Sequence, residues 1–146
     1  MNTTVSMLQP VMVLVLWSLV IWMWMYATRI PAVRRAGMEL DPYLRRGEQM
    51  AQLPAHVRWK ADNYNNLMEQ PTLFYATALV LAVLGDASTL SLVLAWSYVG
   101  IRIAHSLMQV LINKIIWRFA LFFISSLVLI ALAIRAAVMV FYPNIT

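Results

Sequence analysis

The chain has 146 residues and a net charge of +5, with 62% hydrophobic and only 12% charged residues. A soluble domain carries about 25% charged residues, so water is excluded as the solvent for most of this surface, and the length accommodates a single domain, residues 1–146. The cations do not form one basic stripe. They sit between apolar runs, where they act as topology signals, and this argues against nucleic acid as a partner. With no cysteine, the chain has no disulfide, thiolate nucleophile or cysteine-ligated metal of its own.

The first apolar run, Met7 to Thr28, is too long for a signal-peptide core and lacks a basic start. It reads as a true span. Residues 29–65 are polar and carry Arg29, Arg34, Arg35, Arg45, Arg46, Arg58 and Lys60, punctuated by Pro31, Pro42 and Pro54. A helix is expected to start near Pro54, since proline suits a first turn. It runs past Asn66 and Glu69 into the apolar stretch Pro71 to Gly85, which is shorter than the roughly 20 residues a span needs. Residues 66–70 must therefore lie at or inside the headgroup level. Pro71 removes one helical hydrogen bond there.

Gly85, Asp86, Ala87 and Ser88 form a short turn before the third run, and a second turn at Asn113 and Lys114 precedes the fourth. The pattern predicts an all-α, polytopic membrane protein: a four-helix transmembrane bundle with spans at about 7–28, 66–85, 90–112 and 118–142. Short turns make helices 2 and 3 antiparallel neighbours, and likewise 3 and 4. Every Lys and Arg outside the spans falls in the first or third loop, so both termini are expected outside and both basic loops in the cytoplasm. Trp59 and Trp117 then belong near the inner interface. Lack of an ER retrieval tail favours a bacterial inner membrane. Asn2 and Asn144 fit a glycosylation pattern that is common by chance.

Arg102, His105, Ser106 and Gln109 fall at i, i+3, i+4 and i+7, on one helical face. Arg102 lies roughly 15 Å from the inner end of its helix. An arginine facing lipid at that depth costs at least about 2.5–3.5 kcal/mol, so the face must point into the bundle. Its structural reading is a pair with an acid such as Glu69; its functional reading is an intramembrane anion site. Asp62, Asn66 and Glu69 form a second polar stripe at i, i+4 and i+7. Arg118 opens the fourth helix, as a topology anchor or as a working cation. Arg135, toward the outer end, is expected to snorkel to the headgroups. His56 and His105 have no metal-ligand spacing, so no metal site is expected.

Asn66-Leu67-Met68-Glu69 resembles the Asn-x-x-Glu signature of the membrane-associated proteins in eicosanoid and glutathione metabolism, the MAPEG family. Arg102-Ile103-Ala104-His105-Ser106 resembles that family's Arg-x-x-His-[Ser/Thr] signature. The resemblance covers nearly the whole chain and is strongest from Asn66 to Phe119. It implies a homotrimer of four-helix bundles with glutathione sites between subunits. It also implies a transferase or peroxidase that joins the glutathione thiolate to lipophilic electrophiles drawn from membrane lipid. By the same likeness Asn66, Glu69, Arg102 and His105 contact glutathione or support residues that do, and Arg118 matches the family's thiolate-activating arginine. Asp62 and Asn65 replace basic residues of relatives, while Phe122 and Gln109 replace tyrosines. The first two of these favour the alternative reading, a non-catalytic lipid-binding or scaffold protein on the same fold; Arg118 favours the transferase.

Overall fold

A computed structural model describes residues 3–39, 41–45, 47–86 and 88–142. Asn2, Asn144 and Pro143 lie outside these residues, as do Arg46 and Ala87. Helix α1 covers Thr3–Arg35, a 3₁₀ turn Met50–Gln52, α2 Ala55–Glu69, α3 Pro71–Val83, α4 Thr89–Leu111 and α5 Ile115–Phe141. There is no strand among the described residues. Three helices, α1, α4 and α5, are each long and apolar enough to cross a bilayer. The fourth crossing is composite. Gln70 keeps helical dihedrals, φ −65° and ψ −38°, so α2 and α3 form one rod. It is interrupted only where Pro71 has no N–H to give the carbonyl one turn back.

Helix α1 outruns the apolar run that predicts it. Its 33 residues make a rod about 50 Å long, against about 30 Å of hydrocarbon. It continues through Pro31 to Arg35 because the last turns lie where water can take up carbonyls left without a donor. The Thr28 hydroxyl donates to the carbonyls of Trp24 and Met25 just before that point. Lys60 is folded into the seam between α1 and α2. Its ammonium donates to the His56 carbonyl at 2.7 Å and lies 5.4 Å from the Trp24 ring centre.

Each helix buries a narrow stripe in alternating steps of four and three. On α1 it is Met7, Val11, Leu14, Ser18, Ile21 and Met25; on the α2–α3 rod, Leu67, Pro71, Phe74, Ala78 and Leu81. On α4 it is Ser91, Ala95, Tyr98, Arg102, His105 and Gln109, and on α5, Ser125, Leu129, Leu132 and Ala136. This is the seam of helices packed at a shallow angle, knobs into holes. Phe74 and Tyr98 stack at its centre, ring centres 4.6 Å apart. Outside the seam the surface is apolar, with Leu16, Met23, Leu73, Val93, Ile124 and Ile134 all exposed. A helix apolar beyond its packing stripe needs lipid around it. The protein is an integral membrane helical bundle.

The end of the bundle opposite the basic residues is clasped. Gly85 takes φ +74° to end α3, and the Asp86 N–H donates to the Leu81 carbonyl at 2.9 Å, the usual closure around a left-handed glycine. The Asp86 carboxylate then takes Arg135 of α5 through Nε at 3.0 Å and Nη2 at 3.3 Å, with Ser91 Oγ and the Ser88 N–H as further donors. Snorkelling, the expectation for Arg135, is thus replaced by the one ion pair among the described residues. A carboxylate fixed in the turn outcompetes headgroup water because it offers the guanidinium two oxygens at once.

Burial alone would raise the Asp86 carboxyl. The bonds from Arg135, Ser91 and Ser88 outweigh it and hold the group well below the usual carboxylate range. Its stabilising contribution is therefore complete above about pH 4, the ordinary carboxylate value, and is lost as pH falls toward the depressed native value. Asp86→Asn is expected to cost about 1.5–3 kcal/mol, the range for a hydrogen bond to a charged group. Unfolding in detergent at neutral pH reads this directly; an unchanged midpoint would remove the clasp from the stability account.

Candidate functional site

The polar face of α4 points inward, as its spacing requires. Arg102 is 0% exposed, His105 3%, Ser106 0% and Gln109 1%. Ser106 ties three helices together, its hydroxyl accepting from Trp17 Nε1 of α1 at 3.0 Å and from Asn63 Nδ2 of α2 at 2.6 Å. Asn63 thus joins the polar core without having been singled out by either sequence stripe. Asn66 meets the face one turn on, where Arg102 Nη2 donates to its backbone carbonyl at 2.7 Å. The Phe122 ring of α5 covers the other side of Arg102, 5.5 Å from its central carbon, a cation–π contact. Arg102 Nε and Nη1 are buried with no protein acceptor.

The pairing of Arg102 with Glu69 does not occur: no ion pair joins them, and Glu69 is exposed. Three residues beyond Asn66, Glu69 lies on the outer side of α2 while Asn66 stays half-buried against α4. The Asp62–Asn66–Glu69 stripe therefore divides, with only its middle member engaging the polar core. Gln70, at the break in the rod, donates to Ser126 Oγ of α5 at 2.7 Å.

Arg118 is reached through Gln109, whose carboxamide oxygen accepts from Asn66 Nδ2 at 3.3 Å and from Arg118 Nη2 at 3.1 Å. A guanidinium can only donate, which fixes the Gln109 oxygen toward Arg118. From the other side Arg118 Nη1 donates to Asn113 Oδ1 at 2.6 Å. Asn113 sits in the tight α4–α5 turn at φ +54°. In the sequence it reads as a turn residue only; the signal for more is its place just past a helix end, where asparagine tolerates the left-handed conformation. Arg118 Nε is buried and unpartnered.

Asn66, His105, Ile115, Arg118, Phe119 and Phe122 line a cleft of about 240 Å³. It opens on the exposed aromatic face of α5, where Phe119 is 69% and Phe123 53% exposed. The first amides of α5 lie beside it, and a helix N-terminus favours negative charge. Four of the five residues singled out by sequence, Asn66, Arg102, His105 and Arg118, thus gather in one place. Glu69 lies outside the group. A second cavity, of about 440 Å³, lies between α1 and α2 at the same end, lined by Arg29, Arg58, Asp62 and Asn65 among others. No cluster of His, Cys, Asp and Glu among the described residues could hold a metal.

The fold and this pocket define a small helical membrane protein whose basic end concentrates guanidinium groups beside a lipid-facing aromatic wall. The family model for the MAPEG family matches residues 7–138, and the chain belongs to that family. No curated protein and no solved structure matches it.

Proposed function

We propose that the protein is a membrane glutathione transferase or peroxidase acting on lipophilic electrophiles. The observation that carries this reading is the pair of guanidiniums, Arg102 bound to the Asn66 carbonyl and Arg118 linked to the same face through Gln109, each with buried donors unmatched. No carboxylate lies within ion-pair distance of either among the described residues. An isolated buried cation is costly; an anionic ligand offsets that cost. Glutathione brings two carboxylates and a thiol. Arg102 anchors one carboxylate, and Asn66 and His105 orient the peptide. Glu69, exposed on the outer side of α2, would accept from its amine by family likeness alone.

Arg118 stabilises the thiolate over the thiol by opposite charge, with the N-terminus of α5 adding to the same field. The thiol proton leaves to solvent at the basic end. The sulfur then attacks an electrophile arriving from the bilayer along Phe119 and Phe122, and a sulfur–carbon bond forms as the leaving group departs. We take the working unit to be a homotrimer with its basic loops in the cytoplasm of a bacterial inner membrane, as family likeness and the charge asymmetry imply. A second reading, a lipid-binding or scaffold protein, is favoured by one observation. Asp62 lines the cavity it shares with Arg29 and Arg58, where it would repel a carboxylate.

Titration of purified protein with glutathione, followed by thiolate absorbance, decides between the two. A saturable thiolate band at millimolar glutathione is expected. Its absence, with lipid binding retained, would move the protein to the second reading.

A further inference from the structure

Arg118 and Arg135 are held in opposite ways. Arg135 is neutralised by the Asp86 carboxylate. Arg118 is gripped from two sides by carboxamides, Asn113 Oδ1 at 2.6 Å and the Gln109 oxygen at 3.1 Å. A carboxamide accepts a hydrogen bond without bringing a charge. We infer that Asn113, with Gln109, is a positioning residue that aims the Arg118 guanidinium into the cleft while leaving its charge free for an anion. The backbone fits the task. Asn113 is held at φ +54°, and its N–H closes α4 on the Met108 carbonyl at 2.7 Å, so the side chain leaves the turn in a fixed direction. Gln109 is 1% exposed, and the same oxygen that faces Arg118 also accepts from Asn66 Nδ2 and the Asn63 N–H, both at 3.3 Å, so the second grip is rigid too.

An aspartate at this position would hold Arg118 at least as firmly, because a charged acceptor makes the stronger bond. It would also quench the guanidinium. A merely structural role for Asn113 therefore makes Asn113→Asp harmless or stabilising, whereas a positioning role makes it disabling. Asn113→Gly does the converse, keeping the left-handed backbone and removing the grip.

The inference rests on Arg118 as an anion-stabilising group, so its test does not begin with glutathione. Modification of Arg118 by phenylglyoxal in the purified full-length protein is followed by peptide mass mapping, with and without thiocyanate as a simple anion. In the wild type thiocyanate slows modification severalfold. In Asn113→Asp that protection disappears while the melting temperature is maintained or rises. In Asn113→Gly, Arg118 is modified faster without anion, at an unchanged melting temperature.

Protection of Asn113→Asp equal to wild type overturns the inference, and so does a wild type that thiocyanate does not protect. Should Asn113→Asp fail to fold, Asn113→Gly decides alone, and a wild-type modification rate there overturns it. A protected wild type that forms no glutathione thiolate removes the glutathione reading and leaves the clamp standing. A thiolate band undiminished in folded Asn113→Asp does the reverse.

Discussion

Arg118→Ala is expected to lower thiolate formation and kcat/KM toward a lipophilic electrophile by about 100-fold or more, the scale on which removal of one preorganised charge-stabilising donor is felt. The side chain is half-buried and its direction is set before any ligand arrives, by Asn113 and Gln109. Stabilisation aimed in advance costs no reorganisation during the reaction. Lysine should not rescue the loss. Its ammonium is a point charge on a flexible stem, without the planar fork that meets two acceptors and still presents a free N–H. Folding should change little, because Arg118 stands in the first turns of α5 and makes no ion pair among the described residues. Wild-type rates in the alanine variant would take the chemistry away from this residue.

The second large effect separates stability from binding. Arg102→Met replaces a fully buried guanidinium, which has one hydrogen bond and two unpartnered donor nitrogens, by an apolar chain of similar length. Replacing buried ionic groups with well-packed apolar ones is often neutral or stabilising. The unfolding midpoint in detergent is therefore expected to hold or rise. Glutathione affinity should fall about tenfold to a hundredfold, the equivalent of a charged hydrogen bond of about 1.5–3 kcal/mol. If Arg102 instead serves only to hold the helices together, the order reverses, and the variant loses its fold while any glutathione bound by the folded fraction keeps its affinity. Calorimetric titration beside a melting curve gives both numbers on one preparation.

Much of this architecture is legible in the chain because a bilayer leaves few choices. Hydrocarbon requires every backbone group to be satisfied within its own helix, so apolar runs separated by charges become spans. The same pressure made the inward turn of Arg102, His105, Ser106 and Gln109 deducible from spacing alone. Other features were not legible. Helix α1 continues past Arg29 because its end is governed by water at the interface and not by hydropathy. Arg135 finds Asp86 because the turn after α3 delivers a carboxylate to α5, a tertiary event that depth along one helix does not encode. Asn113 holds Arg118 because a left-handed residue aims its side chain back over the next helix, and no periodicity records such a direction. Glu69, picked by motif, falls on the outer side of its helix; three residues of rotation separate it from Asn66.

The clasp of Asp86, Ser88, Ser91 and Arg135 gives the two ends of the bundle different mechanical characters. Where it sits, the α3–α4 turn and α5 are pinned by a multidentate knot, so helix splaying there would break several bonds at once. At the other end the tight turn at Asn113 joins α4 to α5, while α5 meets the α2–α3 rod through the Gln70–Ser126 hydrogen bond. Breathing of the bundle is thereby biased to one mouth, and a bulky guest sliding in from the acyl chains would part α5 from the α2–α3 rod like a peg hinged at its far tip.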